Sequence, residues 1–444
     1  MRVGFIPLDN RPVSYDLVRM TSEISGDVEV LLPDLSLLGG LEKPSDIEGI
    51  LAWMEQADNI DTFIIALDTI AYGGLVQSRR SNDDLKTILH RLERLKKIIK
   101  GKKVLAFSSI MRISNNNVNT EEKPYWEIWG EKIFEYSYNL HRYGFTETDV
   151  PKDILEDYQT TRDRNFAVNK FYIEMQNDGY FSELIFSKDD CAEYGLNIVE
   201  AYELGQMGGK VKTGADEIPL MLLAKCFDGE VKICPVYTAD NQKHLISNYE
   251  DISISTCVKN QIEFSGCRVS DENEADVILV VNNFEKYQGE IVMGIPTEPF
   301  KGEFIPPDKL FAVADVRYAN GSDNAFVKQL LPYMLRENFL GYGAWNTSAN
   351  TLGALVSLIK IYFYAVNKGT LNKTALDKVN LTRLLDDWGY QANVRQKLRN
   401  SDHKKISALM KPYEKLLQKM YKTKYKISYS FPWNRLFEVR IELI

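Results

Sequence analysis

Nine short apolar runs rich in β-branched residues, at 2–7, 28–32, 62–67, 103–110, 183–187, 231–237, 277–282, 310–314 and 340–345, alternate with helical patterns. That alternation constrains the fold most, because strands separated by amphipathic helices pair in parallel βαβ units. The clearest helix spans about 83–100, where Leu85, Ile88, Leu89, Leu92, Leu95, Ile98 and Ile99 form one stripe and His90 falls off it. Nine strands exceed the eight of a simple barrel, and a break in pattern near 205–230 divides them into five and four. The expected fold is therefore α/β with two Rossmann-like lobes, and a decorated (β/α)8 barrel is the alternative. The expected domains are an N-terminal lobe over 1–225 with a helical insertion at about 125–180, a second lobe over 226–370, and a basic, mainly helical region over 371–444.

Composition removes several function classes. The five cysteines and four histidines are scattered, with no C-x-x-C, H-x-x-x-H or H-E-x-x-H spacing, so neither a zinc site nor a disulfide framework is expected. No G-x-G-x-x-G follows a strand and no G-K-[ST] ends a glycine loop, so no nucleotide cofactor is expected. Residues 371–444 carry sixteen Lys or Arg against seven Asp or Glu, which makes the tail +9 and leaves −17 for the rest. Tail and body should attract, while the acidic body should repel nucleic acid. The N-terminus reads directly as a strand, Val3-Gly4-Phe5-Ile6-Pro7, which points to a cytoplasmic protein. The longest apolar segment, Leu352 to Val366, contains Lys360 and reads as a buried helix, not a membrane span.

The strand ends share a feature that composition does not demand: nearly every one delivers a long polar side chain. Asp9 and Arg11 follow the first strand, Asp68 and then Gly73, Gly74 and Arg79 the third, and Arg112 the fourth. The later ones give Asp189 and Asp190, Tyr237, Asn282 and Asn283, Asp315 and Arg317, and Trp345 with Asn346. In a parallel sheet such ends lie on one edge and can converge on one pocket. Each also has a plain structural explanation. Asp9 can shape a turn beside proline, the arginines can balance carboxylates, and Gly73-Gly74 can permit a positive φ.

Phe186-Ser187-Lys188-Asp189-Asp190-Cys191 places two adjacent carboxylates where a strand meets a loop. Two such groups repel, and burial can push one toward the neutral form, so that a pair divides acid and base roles. Ser187 with Asp190 also fits a helix capping box, as does Thr213 with Asp216 in Lys212-Thr213-Gly214-Ala215-Asp216-Glu217. Trp345 beside Asn346 suits a sugar, whose ring face is apolar while its hydroxyls need paired donors and acceptors.

The segments FIPLDNRPVSYDL, ALDTIAYGGLVQSR, SSIMRI, RNFAVNKFYIEMQNDG, FSKDDCAEYGLN, KTGADE, ADVRYANGSD and GYGAWNTSANTLG together resemble the signature blocks of the bacterial domain-of-unknown-function 4127 family. They cover about residues 1–365 and leave out the basic tail. The resemblance implies that the polar strand ends belong together, Asn197 and the pair Asp216-Glu217 included. It implies no activity.

Acidic, aromatic and amide groups without metal, nucleotide or nucleophile motifs lead to the expectation of a metal-independent glycoside hydrolase acting on a small carbohydrate. Asp189 and Asp190 are the expected catalytic pair, in one version substrate-assisted on N-acetylhexosaminides. Asp9, Arg11, Asp68, Arg79, Arg112, Asn197, Lys212, Asp216, Glu217, Tyr237, Asp315, Trp345 and Asn346 are the expected binding residues. Should the pair point apart, Asp68, Asp216, Glu217 or Asp315 becomes the partner. The alternatives are a two-lobed binder or sensor that clamps a sugar or an anion with Arg11, Arg79, Arg112 and Lys212, and a divalent-metal enzyme built on Asp9, Asp68, Asp189 and Asp315.

Overall fold

A computed structural model describes residues 1–444 apart from Asp58, Asp190, Cys191, Asn400, Ser401 and the side chain of His403. The chain divides into two compact units, Met1–Asn10 with Glu29–Pro219, and Arg11–Val28 with Leu220–Ile444.

The first unit is built on β1 (Arg2–Ile6), β2 (Glu29–Leu31), β3 (Thr62–Ala66), β4 (Lys103–Ile110), β5 (Glu183–Lys188) and β6 (Lys210–Thr213). They form one open parallel sheet in the order β2-β1-β3-β4-β5-β6. The sheet is central because its inner strands are apolar throughout: all five residues of β3 and seven of the eight in β4 are buried. Strand β6 was not among the nine expected, since KVKT is an edge segment with a single large apolar residue.

Helix Leu85–Ile99 buries Ile88, Leu92, Leu95 and Ile99, as its stripe requires, and Asp84 caps it by accepting from the Thr87 N–H at 2.8 Å. The expected insertion is two helices, Trp126–Tyr143 and Lys152–Asn177. The second is unusual in that its buried face carries Arg162, Asn165 and Asn169 among Tyr158, Val168 and Tyr172. Those positions recur at intervals of three and four, so one face is turned inward and is partly polar.

The second unit contains β7 (Lys232–Tyr237), β8 (Arg268–Val269), β9 (Val277–Asn282), β10 (Gly289–Glu290), β11 (Phe311–Asp315), β12 (Tyr318–Ala319) and β13 (Phe339–Gly343). Its main sheet is also open and parallel, in the order β13-β11-β9-β7-β8. Numbered within each main sheet, the two share the order 2-1-3-4-5, and the first adds a sixth strand. The Rossmann-like expectation holds, and separate open sheets replace the barrel alternative.

Residues beyond 370 complete the core of this unit. Leu381, Leu384, Trp388, Tyr390, Ile406, Met410 and Leu417 pack in one cluster with Phe311, Phe339 and Tyr342. An antiparallel pair, β14 (Ile427–Ser430) with β15 (Arg440–Leu443), adds Tyr429 and Ile441 to it. The tail's cations pair with its own acids, as in Lys411–Glu414 and Arg435–Glu438, as well as with Asp16 through Arg440. Attraction between an acidic body and a basic tail is thus only part of what holds it. Helix Ser348–Lys368 is longer than the apolar run suggested and passes the length and composition test for a membrane span, with 72% of its apolar window buried.

Candidate functional site

In an open parallel sheet the crevice for ligands lies outside the carboxyl ends of the strands, where the chain reverses its direction of travel across the sheet. In the first unit that point falls between β1 and β3. Thr69 ties the two exits together by donating to the Pro7 and Leu8 carbonyls at 2.6 and 3.1 Å. Strand β3 runs straight into helix Leu67–Tyr72, which places Asp68 at this edge, fully buried. Gly73 and Gly74 then turn the chain with φ of 90° and 135°, as expected of that pair.

Asp68 Oδ2 accepts from the Ser109 backbone N–H at the end of β4, at 2.9 Å. Its Oδ1 is buried without a hydrogen-bond partner among the described residues, and so is the Tyr172 hydroxyl. Burial pushes the Asp68 carboxyl up to about 7, against the opposing pull of its Ser109 hydrogen bonds and of Arg79. Burial and then the Asp68 charge raise the Tyr72 phenol, and Tyr172 is raised by burial, Tyr72 and Asp68. Asp68, Tyr72 and Tyr172 therefore share one low-dielectric neighbourhood.

Beside it lies a paired-charge cluster. Arg79, 2% exposed, donates to the Glu121 carboxylate at 3.2 Å and pairs with Glu122 at 3.2 Å. Arg112 binds the same two acids at 2.9 and 3.1 Å and approaches Asp189 at 3.8 Å. Burial lowers the Arg79 pKa, while Glu122, Glu121 and Asp189 oppose that shift. Ser187 is a strand residue that donates to the Ser109 hydroxyl at 3.2 Å, so the helix cap expected of it does not form; the next helix begins only at Leu196. The inward polar face of Lys152–Asn177 supports this edge. Asn169 accepts from Ser108 and donates to the Ser109 carbonyl, Asn165 holds the Ser78 carbonyl, and Arg162 holds the Met111 carbonyl.

The remaining expected residues of this unit are spread along the same edge. Asp9 is buried after β1, and Lys212 lies in β6, whose Thr213 sits opposite Lys188. The Gly214 N–H donates to the Lys188 carbonyl, which holds Asp216 and Glu217 near the end of β5. Thr213 ends β6 five residues ahead of helix Ile218–Ala224. Gly214 has φ of 99° and a side chain there would collide with Glu217. Asn197 is buried in the first turn of helix Leu196–Gln206. Asp190 lies outside the described residues.

Arg11, Tyr237, Asp315, Trp345 and Asn346 belong to the second unit. The expected residues thus lie on the edges of two sheets, one in each unit. Arg11 stacks on Trp433, 5.0 Å from its ring centre. Tyr237 ends β7, with its phenol raised by burial. Asp315 is fully buried and accepts from Asn282 at 2.8 Å, from the Asp323 N–H at 2.8 Å and from the Tyr342 hydroxyl at 2.9 Å. Burial, then the neighbouring Asp323, pushes it up to about 7. Asn346 adopts φ of 55°, and its carbonyl accepts from the Asn320 N–H. Trp345 lines a tight recess of about 30 Å³ with Asp16, Arg383, Asp386 and Glu438.

Glu121, Glu122, Ser109 and Tyr172 were not among the expected residues. The sequence signal for the first two was the pair of acids ten residues after Arg112 in a loop leaving a strand. Among the described residues no group of three or more His, Cys, Asp or Glu is placed to hold a metal ion.

A family model matches residues 3–442. The chain belongs to that family, described as "Protein of unknown function (DUF4127)". The match runs through the basic tail, beyond the blocks that carried the resemblance. No curated protein and no solved structure matches the chain.

Proposed function

We propose that this DUF4127 protein is a carbohydrate-active hydrolase that breaks glycosidic bonds at the edge of its first sheet. The supporting observation is a pair of carboxyl groups on that edge with opposite environments. Asp68 is enclosed, holds its proton up to about 7 and has one oxygen without a partner. Asp189 is partly exposed and faces Arg112. Such divergence assigns acid to the first and base to the second. Asp68 gives its proton to the leaving oxygen as the C–O bond breaks, and Asp189 takes a proton from the water that attacks the anomeric carbon. The strands that carry them are two steps apart, roughly 9–10 Å at 4.7–4.9 Å per step. That spacing is closer to the roughly 6.5–9.5 Å of inverting pairs than to the roughly 5–5.5 Å of retaining ones.

An anion-clamping binder is less well supported, because Arg79 and Arg112 already hold Glu121 and Glu122. The test is nitrophenol release from a panel of aryl glycosides, N-acetylhexosaminides included, by wild type, Asp68→Asn and Asp189→Asn. Wild type should turn over at least one of them with inversion at the anomeric carbon by NMR. Each variant should lose on the order of 10²–10⁴-fold in turnover. Equal rates in wild type and Asp68→Asn would overturn the assignment of the acid, and silence across the panel and across natural oligosaccharides would overturn the reaction.

A further inference from the structure

The first unit contains a second feature that the proposed chemistry does not use. A cleft of about 400 Å³ opens between residues 44–48, where a loop enters the helix Ile47–Gln56, the 75–81 segment and Arg91. That volume lies within the roughly 300–1,000 Å³ range of small-molecule sites and far above the 30 Å³ recess beside Trp345.

Its lining is polar, yet its charges are already engaged. Asp46 accepts from the Gly49 N–H at 2.9 Å, Glu48 pairs with Arg94, and Asp83 pairs with Arg91 at 2.6 Å. An ion entering the cleft would have to displace one of these partners. What the lining still offers is neutral hydrogen bonding. The Ser45 hydroxyl accepts from the Gly39 N–H and the Ser81 hydroxyl from the Asp83 N–H, so each keeps its own O–H to donate. Gln77 is 7% exposed, and its amide nitrogen donates to the Leu41 carbonyl at 3.3 Å. Its amide oxygen accepts no hydrogen bond from the described residues. Tyr72 adds an aromatic ring to the lining.

We propose that this cleft is a binding site for an uncharged, hydroxyl-rich molecule, a sugar or polyol. Fixed donors and an acceptor beside an aromatic ring match a ring compound with an apolar face and hydroxyl edges. Gln77 reads a ligand O–H, Ser45 and Ser81 donate to ligand oxygens, and Tyr72 supplies the apolar contact. Tyr72 also stands one helical turn from Asp68 on the same helix face. This site stands or falls independently of the hydrolase reading.

The experiment is saturation-transfer NMR and calorimetry with glucose, galactose, mannose, N-acetylglucosamine and glycerol, using inorganic phosphate and spermidine as ionic controls. Wild type should bind at least one of the neutral probes. Ile47→Trp, which fills the cleft from its half-exposed rim, should weaken that binding at least tenfold, and Gln77→Ala several-fold, both with unchanged melting. Binding unaffected by both cleft variants, or no neutral probe bound by wild type, overturns the site. Cleft-dependent binding of phosphate or spermidine in place of the neutral probes overturns the ligand class. Cleft-dependent sugar binding without turnover of any glycoside leaves this site in place and removes the hydrolase, whereas glycoside turnover accompanied by binding that is indifferent to both cleft variants does the reverse.

Discussion

The two units run the same strand order, yet their edges are finished differently. At the edge of the second sheet the polar groups that end β9 and β11 answer one another. Asn282 donates to Asp315 and accepts from Arg317, while Asn283 exchanges two hydrogen bonds with Ala239. Asp315 receives three donors on two oxygens. At the corresponding edge of the first sheet Ser109 serves one oxygen of Asp68, and the other, Oδ1, has no hydrogen-bond partner among the described residues. A buried polar atom left unsatisfied costs roughly 1–3 kcal/mol. The Asp315 carboxyl is therefore closed off by its own neighbours, whereas the Asp68 carboxyl keeps an unfilled acceptor; the second edge keeps one only in an amide, Asn350 Oδ1 after β13, among the described residues. The difference directs the search for chemistry to the first unit.

The sharpest way to break this comparison is to make the same isosteric change in both. Asp68→Asn should lower turnover on the order of 10²–10⁴-fold with little loss of stability, since an amide oxygen can still accept from Ser109. Asp315→Asn should leave turnover per folded molecule intact. It turns an amide N–H₂ toward groups that donate, which should cost about 1–3 kcal/mol in chemical denaturation. If Asp315→Asn abolished turnover and Asp68→Asn did not, the two edges would exchange roles.

A smaller effect should appear with pH. Both carboxyls are raised from 3.8 to about 7, so the folded protein keeps protons that the unfolded chain has lost. Their stabilisation is complete below about pH 4 and is lost as pH rises through about 7. The melting temperature of wild type relative to Asp68→Asn, and relative to Asp315→Asn, should therefore fall between pH 5 and 8. A flat difference for either variant would mean that its carboxyl is already ionised in the fold. The smallest change is Tyr342→Phe, which removes one donor of three from Asp315 and should cost about 1 kcal/mol. A neutral result there would show that the second edge is less tightly closed than its geometry suggests.

The architecture was legible because both sheets are built from runs such as Phe63-Ile64-Ile65 and Val277-Ile278-Leu279-Val280-Val281, whose burial on both faces leaves no polar alternation to blur them. Legible too were the polar ends of those runs, Asp68 and Asp315 among them, because parallel pairing brings strand exits to one side. The partners of those ends could not be read. Asp68 follows the third strand of its sheet and Asp315 ends the fourth strand of its own, and only the tertiary neighbours decide that one is satisfied and the other is not. Glu121 and Glu122 were hidden because a loop acid earns notice only once Arg79 and Arg112 are seen to enclose it. The inward face of Lys152–Asn177 was hidden because arginine and asparagine at helical spacing ordinarily signal a solvent-facing surface. The wide π-helical stretch Leu384–Val394, which buries Asp386 and Asp387, gave no warning of its own.

Residues 11–28 belong to the second unit although they lie between two strands of the first. The carboxylate of Asp16 meets Arg440, 424 positions further along the chain. During synthesis the helix Asp16–Ser22 must therefore wait until residue 440 has emerged before its Asp16 carboxylate meets that partner. A change at residue 440 is therefore felt in a helix encoded 424 positions earlier, so the two stretches cannot vary independently of one another.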